Sequence, residues 1–299
     1  MTTATDELIE IGLRAAQSPL RQQVKLWARH ADEKPDVAAD LMATLRWLHR
    51  TAPPDRALRA LSIGSSEEPQ FRLLSAAAGG GLWLYDADRT ALAAVRARIG
   101  RQMLSGVHLV HGDYTADFLQ PDAAHQALAN RLGGAPFDLI TIHHALYYCP
   151  AAEWSDLVAT LYETLLRDPG AMHLALMSAT DPRPFTTTWL YNHFAEKFFG
   201  SRNDQDLAGL AQKLAERPEF SHARFSRRTH AVRFQNEDFA DFMAVVWMIM
   251  LYPDGHNYTL DQRREITEFV VEQFWQPRRP LTQVQDYLSV LKDEVPPEA

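Results

Sequence analysis

The spacing of hydrophobic positions changes rhythm twice along the chain. Over residues 5–50 apolar side chains recur at helical intervals, with Val37, Leu41, Leu45 and Leu48 as the clearest series. Pro19 and Pro35 fall near helix starts, where a missing N–H does no harm. Thr51-Ala-Pro-Pro-Asp55 then closes this helical leader, because consecutive prolines hold a chain extended. From Leu58 onward, short apolar runs alternate with longer amphipathic ones. The short runs predict strands at 61–63, 82–85, 107–110, 137–142 and 172–177, and the longer ones predict helices at 67–78, 90–102, 116–132 and 154–166. Gly79-Gly-Gly81 stops the first of these helices, and Pro169-Gly170 reads as a turn.

Five short apolar strands separated by helices predict a parallel sheet covered on both faces. After Met177 the rhythm changes again. Residues 185–199 read as a helix rich in aromatics, among them Trp189 and Tyr191, and 204–217 as another helix. Residues 225–234 alternate like an antiparallel strand. Residues 235–277 read as a helical insertion, and 281–291 as a last strand whose pattern also permits a helix. The expected fold is α/β: a Rossmann-like, seven-stranded, mostly parallel sheet with helices on both faces, an N-terminal helical leader and a C-terminal helical insertion. The expected division is 1–52 as leader or lid, 53–182 as the nucleotide-binding core, and 183–299 as a substrate cap that completes the sheet.

Composition narrows the function classes. The chain has 299 residues, 46% hydrophobic and 23% charged, enough for a real core. A net charge of −8 argues against a protein built to grip nucleic-acid phosphates. Cys149 is the only cysteine, so no internal disulfide or cysteine zinc site can form, and no metal site is expected. The longest apolar run, 242–252, is half a bilayer span. A cytoplasmic protein, monomeric or homodimeric, with no membrane partner is expected.

The chemistry gathers at the predicted strand ends. Gly64 closes the first strand, Asp86 the second, Gly112-Asp113 the third, and His143-His144 the fourth. Ligands of open α/β sheets bind beyond the carboxyl ends of the strands. A carboxylate ending the second strand suits two ribose hydroxyls, and one after the third suits a purine amine. The order Leu-Ser-Ile-Gly64, Leu-Tyr-Asp86, His-Gly-Asp113-Tyr114 and Phe-Asp138-Leu-Ile-Thr-Ile-His143-His144-Ala-Leu-Tyr147-Tyr148 resembles class I S-adenosylmethionine-dependent methyltransferases over residues 57–180. The leader, the aromatic helix and the late insertion resemble the histamine N-methyltransferase group in layout.

That resemblance implies S-adenosylmethionine as cofactor and S-adenosylhomocysteine as product. Gly64 and Ser65 would lie under its methionine and ribose, Asp86 at the ribose hydroxyls, Asp113 at the adenine amine and Tyr114 beside the ring. His143 would line the cofactor through its backbone, and His144 would face the substrate. Two departures stand out. Ser62 replaces the usual acid two residues before the glycine, and Ser-Ser-Glu-Glu-Pro follows Gly64. Glu67 and Glu68 suit a first helical turn. The leader lacks an acid for a cationic amine at Gln17–Gln23, so histamine is not the expected substrate.

Methyl transfer is a direct displacement that needs alignment, exclusion of water and a base only for a protonated nucleophile. His144 is the expected base with Tyr147 beside it. Tyr148, Trp189, His193 and Trp247 are expected to bind a small-molecule acceptor, with Asn192 and Tyr252 as further wall candidates. The expected activity is N- or O-methylation of that small molecule. A non-methylating binder of the same cofactor is the alternative, and a nicotinamide enzyme is disfavoured by the missing three-glycine fingerprint.

Overall fold

A computed structural model describes residues 4–64, 70–250 and 257–293. The leader is three helices, α1 (Ala4–Ala15), α2 (Leu20–His30) and α3 (Glu33–Thr51). Strands β1 (Arg59–Ile63), β2 (Gly81–Asp86), β3 (Val107–His111), β4 (Phe137–His143) and β5 (Leu166–Met177) follow. The helices between them are α4 (Phe71–Ala77), α5 (Arg89–Gln102), α6 (Tyr114–Phe118), α7 (Pro121–Arg131) and α8 (Trp154–Thr160). The remainder holds α9 (Thr187–Phe199), α10 (Leu207–Ala215), β6 (Ala223–Phe234), α11 (Phe239–Met250), α12 (Leu260–Val270) and β7 (Leu281–Lys292).

The seven strands form one sheet in the order β3-β2-β1-β4-β5-β7-β6. Pairings β1–β2, β1–β4, β2–β3 and β4–β5 are parallel, and the sheet carries one antiparallel pair. Buried side chains on both faces of β1, β2, β4 and β5 explain why these strands read as nearly continuous hydrophobic runs. One face packs Leu61, Ile63, Ile140, Ile142 and Leu174 against Phe118, Leu128, Leu157 and Leu210. The other packs Ala60, Leu82, Leu84 and Leu139 against Leu41, Leu45 and Leu48 of α3, Phe71 and Leu74 of α4, and Val95 of α5. The periodic series read from the leader is therefore the sheet-facing stripe of α3.

Several boundaries among the described residues differ from the reading of the sequence. The first βα helix is described only from Phe71, and residues 65–69, including Glu67 and Glu68, lie outside the described residues. The helix expected over 116–132 breaks into α6 and α7, because Pro121 opens a new helix. The helix expected over 154–166 is α8 followed by a π turn, Leu161–Leu165, after which β5 begins six residues early. The Pro169-Gly170 turn falls inside β5 beside a shift in register, where a proline is tolerated. Residues 281–292 are strand, so pairing within the sheet overrides the helical alternative.

Contacts divide the chain into two compact units. The first comprises Met1–Pro35, Met177–Gln205 and His230–Gln285; the second comprises Asp36–Leu176, Asp206–Thr229 and Asp286–Ala299. Within the first, α1 lies so close to α12 that a Cβ on Gly12 would meet Thr267 Cγ2 at 2.4 Å. The Trp247 indole on α11 is fully buried and donates to the Gly12 carbonyl at 2.8 Å. No helix among the described residues is long and apolar enough to cross a membrane.

Candidate functional site at the strand tips

The chain leaves β1 for β2 and β3, then returns to place β4 on the other side of β1. Strand order reverses there, and in open α/β sheets ligands bind beyond the strand ends at such a point. Register aligns the strand ends. Asp86 pairs with His111, Ile63 with both Tyr85 and Ile142, and His143 with Ala175. Gly64, Asp86 and His143 therefore stand at one level across three neighbouring strands, all within the second unit.

The main chain ties this rim together. The Gly64 N–H donates to the Tyr85 carbonyl at 2.8 Å, Gly112 to Asp86 at 3.1 Å, and His144 to Ala175 at 2.9 Å. The Tyr114 hydroxyl donates to the Ala145 carbonyl at 2.7 Å, which links the loops after β3 and β4. Gly64 has φ of 68°, and a Cβ there would lie 2.3 Å from the Ala145 Cβ. Only glycine meets both demands, the left-handed backbone and the closeness of the opposite loop.

The carboxylates are held in different ways. Asp86 is half-buried, and its Oδ1 accepts from the Asp88 N–H at 2.7 Å. Tyr148 is 63% exposed. Protein mass around its hydroxyl, and then the Asp86 charge, push its pKa up. Asp113 is exposed and caps α6, accepting from the Thr115 N–H at 2.9 Å and the Thr115 hydroxyl at 2.8 Å. Tyr114 is buried beside it. Burial, followed by Cys149, Asp113 and Tyr148, pushes the Tyr114 hydroxyl far up in pKa, so it remains a neutral donor. Asp138, from the same run of residues as the histidines, is completely buried at the opposite end of β4. It accepts from the Arg59 N–H at 2.8 Å and lies 3.4 Å from Arg56, a structural role.

The two adjacent histidines diverge. His143 is buried, and its Nε2 lies 2.8 Å from Nδ1 of His173. His173 is wholly buried on β5. Burial first, and His143 second, hold its pKa well below the ordinary value, so it is neutral. Its Nε2 has no hydrogen-bond partner among the described residues. One register row back on the same sheet face, Thr141 donates to Ser62 at 2.9 Å. His144 instead sits at the tip with φ of 52°, an uncommon backbone for a residue with a Cβ. Its ring is half-buried and stacks near Tyr147, with Nδ1 3.4 Å from the Tyr147 hydroxyl.

The rest of the expected set is less concentrated. Ser65 and Tyr252 lie outside the described residues. In the first unit, Trp189 stacks on His193 at 4.9 Å, and both rings stack on Phe269. His193 is exposed, so this stack has an open side. Asn192 accepts from the Asn203 N–H and orders that loop. Trp247, expected in the acceptor wall, is a core residue with its one donor satisfied by Gly12. His173 escaped the reading of the sequence. Its signal was a lone imidazole within the apolar run Ala171–Met177, which spacing alone does not pair with His143.

No protein-family sequence model matches the chain, and no characterised protein matches it by sequence. Solved structures do match the fold. A candidate methyltransferase of Bacillus halodurans C-125 aligns with a TM-score of 0.50 at 16% identity, over 84% of this chain and 99% of that one. The YcgJ protein of Bacillus subtilis aligns with a TM-score of 0.51 at 14% identity, over 85% of this chain and 100% of that one. The architecture is a Rossmann-like fold, a seven-stranded, mostly parallel sheet with helices on both sides, which these structures share. Neither neighbour bears on the likeness to the histamine N-methyltransferase group.

Proposed function

We propose that the chain is an S-adenosylmethionine-dependent methyltransferase acting on a nitrogen or oxygen of a small molecule. The observation that carries this reading is the row Asp86, Gly64, His143 at the switch point of a methyltransferase-type sheet. The residues fit the cofactor. Gly64 ends β1 with its Cα against Ala145, at the place where ligands of such sheets bind, and Asp86 ends the neighbouring strand at the same level, where a ribose would lie. Asp113 and Tyr114 would flank the adenine. Tyr114 acts there by fixing the Ala145 loop, and Asp113 by the position of its cap.

Bound S-adenosylmethionine would supply an electrophilic methyl group and a neutral sulfur leaving group. The protein's task is alignment, dryness and a proton sink. His144 is suited to the last, since it alone of the two histidines sits at the rim rather than on His173. With Nδ1–H directed to the Tyr147 oxygen, Nε2 presents its lone pair and takes the acceptor's proton. The strained backbone at His144 fits a residue held in place for function. Tyr148, in the same unit as Asp86 and His144, is the proposed acceptor-binding residue, and an aromatic face suits a flat or cationic acceptor.

Calorimetry with S-adenosylhomocysteine tests the reading. Saturable 1:1 binding is expected, weakened at least about ten-fold, or about 1.4 kcal/mol, in Asp86→Ala. Absence of binding, or unchanged affinity in the variant, contradicts it. Turnover with methyl-labelled cofactor against amine and phenol panels completes the test. Label that stays on the cofactor while an acceptor is converted would favour the non-methylating alternative.

A further inference from the structure

Behind the rim, a cluster of side chains within the second unit supports the loop after β3. Its centre is Asp117, near the end of α6. The Tyr85 hydroxyl of β2 donates to Asp117 Oδ2, and Arg131 Nη2 of α7 reaches the same oxygen at 2.5 Å. The Arg131 guanidinium also lies 5.8 Å from the centre of the Tyr85 ring. Tyr85 is fully buried, and its ring packs on Phe118 with centres 4.9 Å apart. Burial first, and the bond to Asp117 second, push the Tyr85 hydroxyl far up in pKa, so it stays protonated and donates. Arg131 stays charged, its pKa raised chiefly by the bond to Asp117.

This cluster touches the loop that carries Asp113. Gly112 lies directly on the Tyr85 hydroxyl: a Cβ there would overlap that oxygen and stand 2.8 Å from Asp117 Oδ2. Space, rather than a left-handed backbone, calls for glycine at this position. One residue on, Asp113 is exposed and caps α6 with Oδ1, which takes both bonds from Thr115. Its Oδ2 has no hydrogen-bond partner among the described residues. The helix that follows is only five residues long. A helix so short does not hold itself, so its direction is set by what its side chains grip. Tyr114 grips the loop after β4, while Asp117 grips β2 and α7. Asp113 and Asp117 stand four apart, where like charges repel on a helix, and Arg131 offsets that repulsion.

We propose, resting on the reading of the strand tips as a nucleoside site, that Tyr85, Asp117 and Arg131 are positioning residues. Through Gly112 and α6 they aim the Asp113 carboxylate at the exocyclic amine of the base, and so set the preference for adenine over hypoxanthine. None of the three needs to touch the nucleoside. The adenine amine donates to a carboxylate, whereas the hypoxanthine carbonyl meets it with a lone pair. A displaced Asp113 therefore shows as lost discrimination between the two bases, because only one of them gains from its charge.

Calorimetry of the whole chain with S-adenosylhomocysteine and its inosine counterpart, S-inosylhomocysteine, tests it. The parent should prefer the adenosine form at least about ten-fold. Tyr85→Phe keeps the ring and removes the hydroxyl. It should lower affinity for the adenosine form about five-fold and leave the inosine form within about two-fold. Asp117→Ala, on a half-buried side chain, should do the same, and adding Tyr85→Phe to it should lower affinity no further, because the residues act as one unit. Should Tyr85→Phe not fold, Asp117→Ala and Arg131→Gln carry the test. Equal loss of both forms, the mark of a merely loosened site, overturns the proposal, and so does a parent that binds both forms alike. A parent that binds S-adenosylhomocysteine, beside variants that keep its selectivity, removes the positioning role and leaves the methyltransferase reading standing. A parent that binds neither form removes both.

Discussion

At the strand tips of the second unit, position is set by main chain. Gly64, Gly112 and His144 are each tied by a backbone N–H to the neighbouring strand, and the Gly64 Cα has no room for a methyl. In the first unit, position is set by side chains: the Trp247 indole on the Gly12 carbonyl, the Trp189–His193–Phe269 stack, and the Arg279 guanidinium on Phe185. A rim built from backbone suits a ligand held in a fixed frame, as the proposed nucleoside would be. A unit built from side-chain packing can change its contacts by changing residues.

Substitutions can break this contrast. The largest effect is expected from Trp247→Ala, since removing a fully buried ring costs about 3–5 kcal/mol in urea unfolding. The affinity of the folded fraction for S-adenosylhomocysteine should not change. A large loss of that affinity would show that the two units do not divide the work. Gly64→Ala should cost about 2–4 kcal/mol, from left-handed strain plus the 2.3 Å approach to Ala145. It should also abolish cofactor binding, and normal binding in this variant would contradict the backbone-set rim.

The buried imidazole sharpens the same contrast through pH. The folded-state pKa of His173 lies well below its ordinary 6.5, so the unfolded chain binds this proton first as pH falls. His173 therefore contributes stability that is fully present above pH 6.5 and is lost progressively below it, by up to about 1.4 kcal/mol per pH unit. Unfolding measured from pH 7.5 to 5 should show a flatter slope in His173→Gln. Parallel slopes would remove the buried neutral imidazole from the account. The smallest effect is expected from Tyr147→Phe. A bond of 3.4 Å is weak, so turnover should fall by about 0.5 kcal/mol, two- to three-fold, with a small shift of the acid limb of the pH–rate profile. An unchanged profile would mean that Tyr147 does not orient His144.

The parts legible in the sequence were those governed by one local rule. Short apolar runs gave the five parallel strands, and Gly64, Asp86 and Asp113 stood out because strand ends leave few residues to choose from. The helix of the leader that covers the sheet was visible as a periodic stripe, though not its partner face. What could not be read depends on residues distant in the chain. His173 meets His143 thirty positions away, and Trp247 meets Gly12 across 235 positions. The early start of β5 was hidden because a register shift lets Pro169 sit inside a strand.

The most direct measurement is a crystal structure with S-adenosylhomocysteine soaked to saturation. The account predicts the nucleoside across the ends of β1, β2 and β3, its ribose hydroxyls on the Asp86 carboxylate and its sulfur on the His144 side of Gly64. Density for the nucleoside at any other place, or an Asp86 carboxylate with no contact to it, would contradict the account.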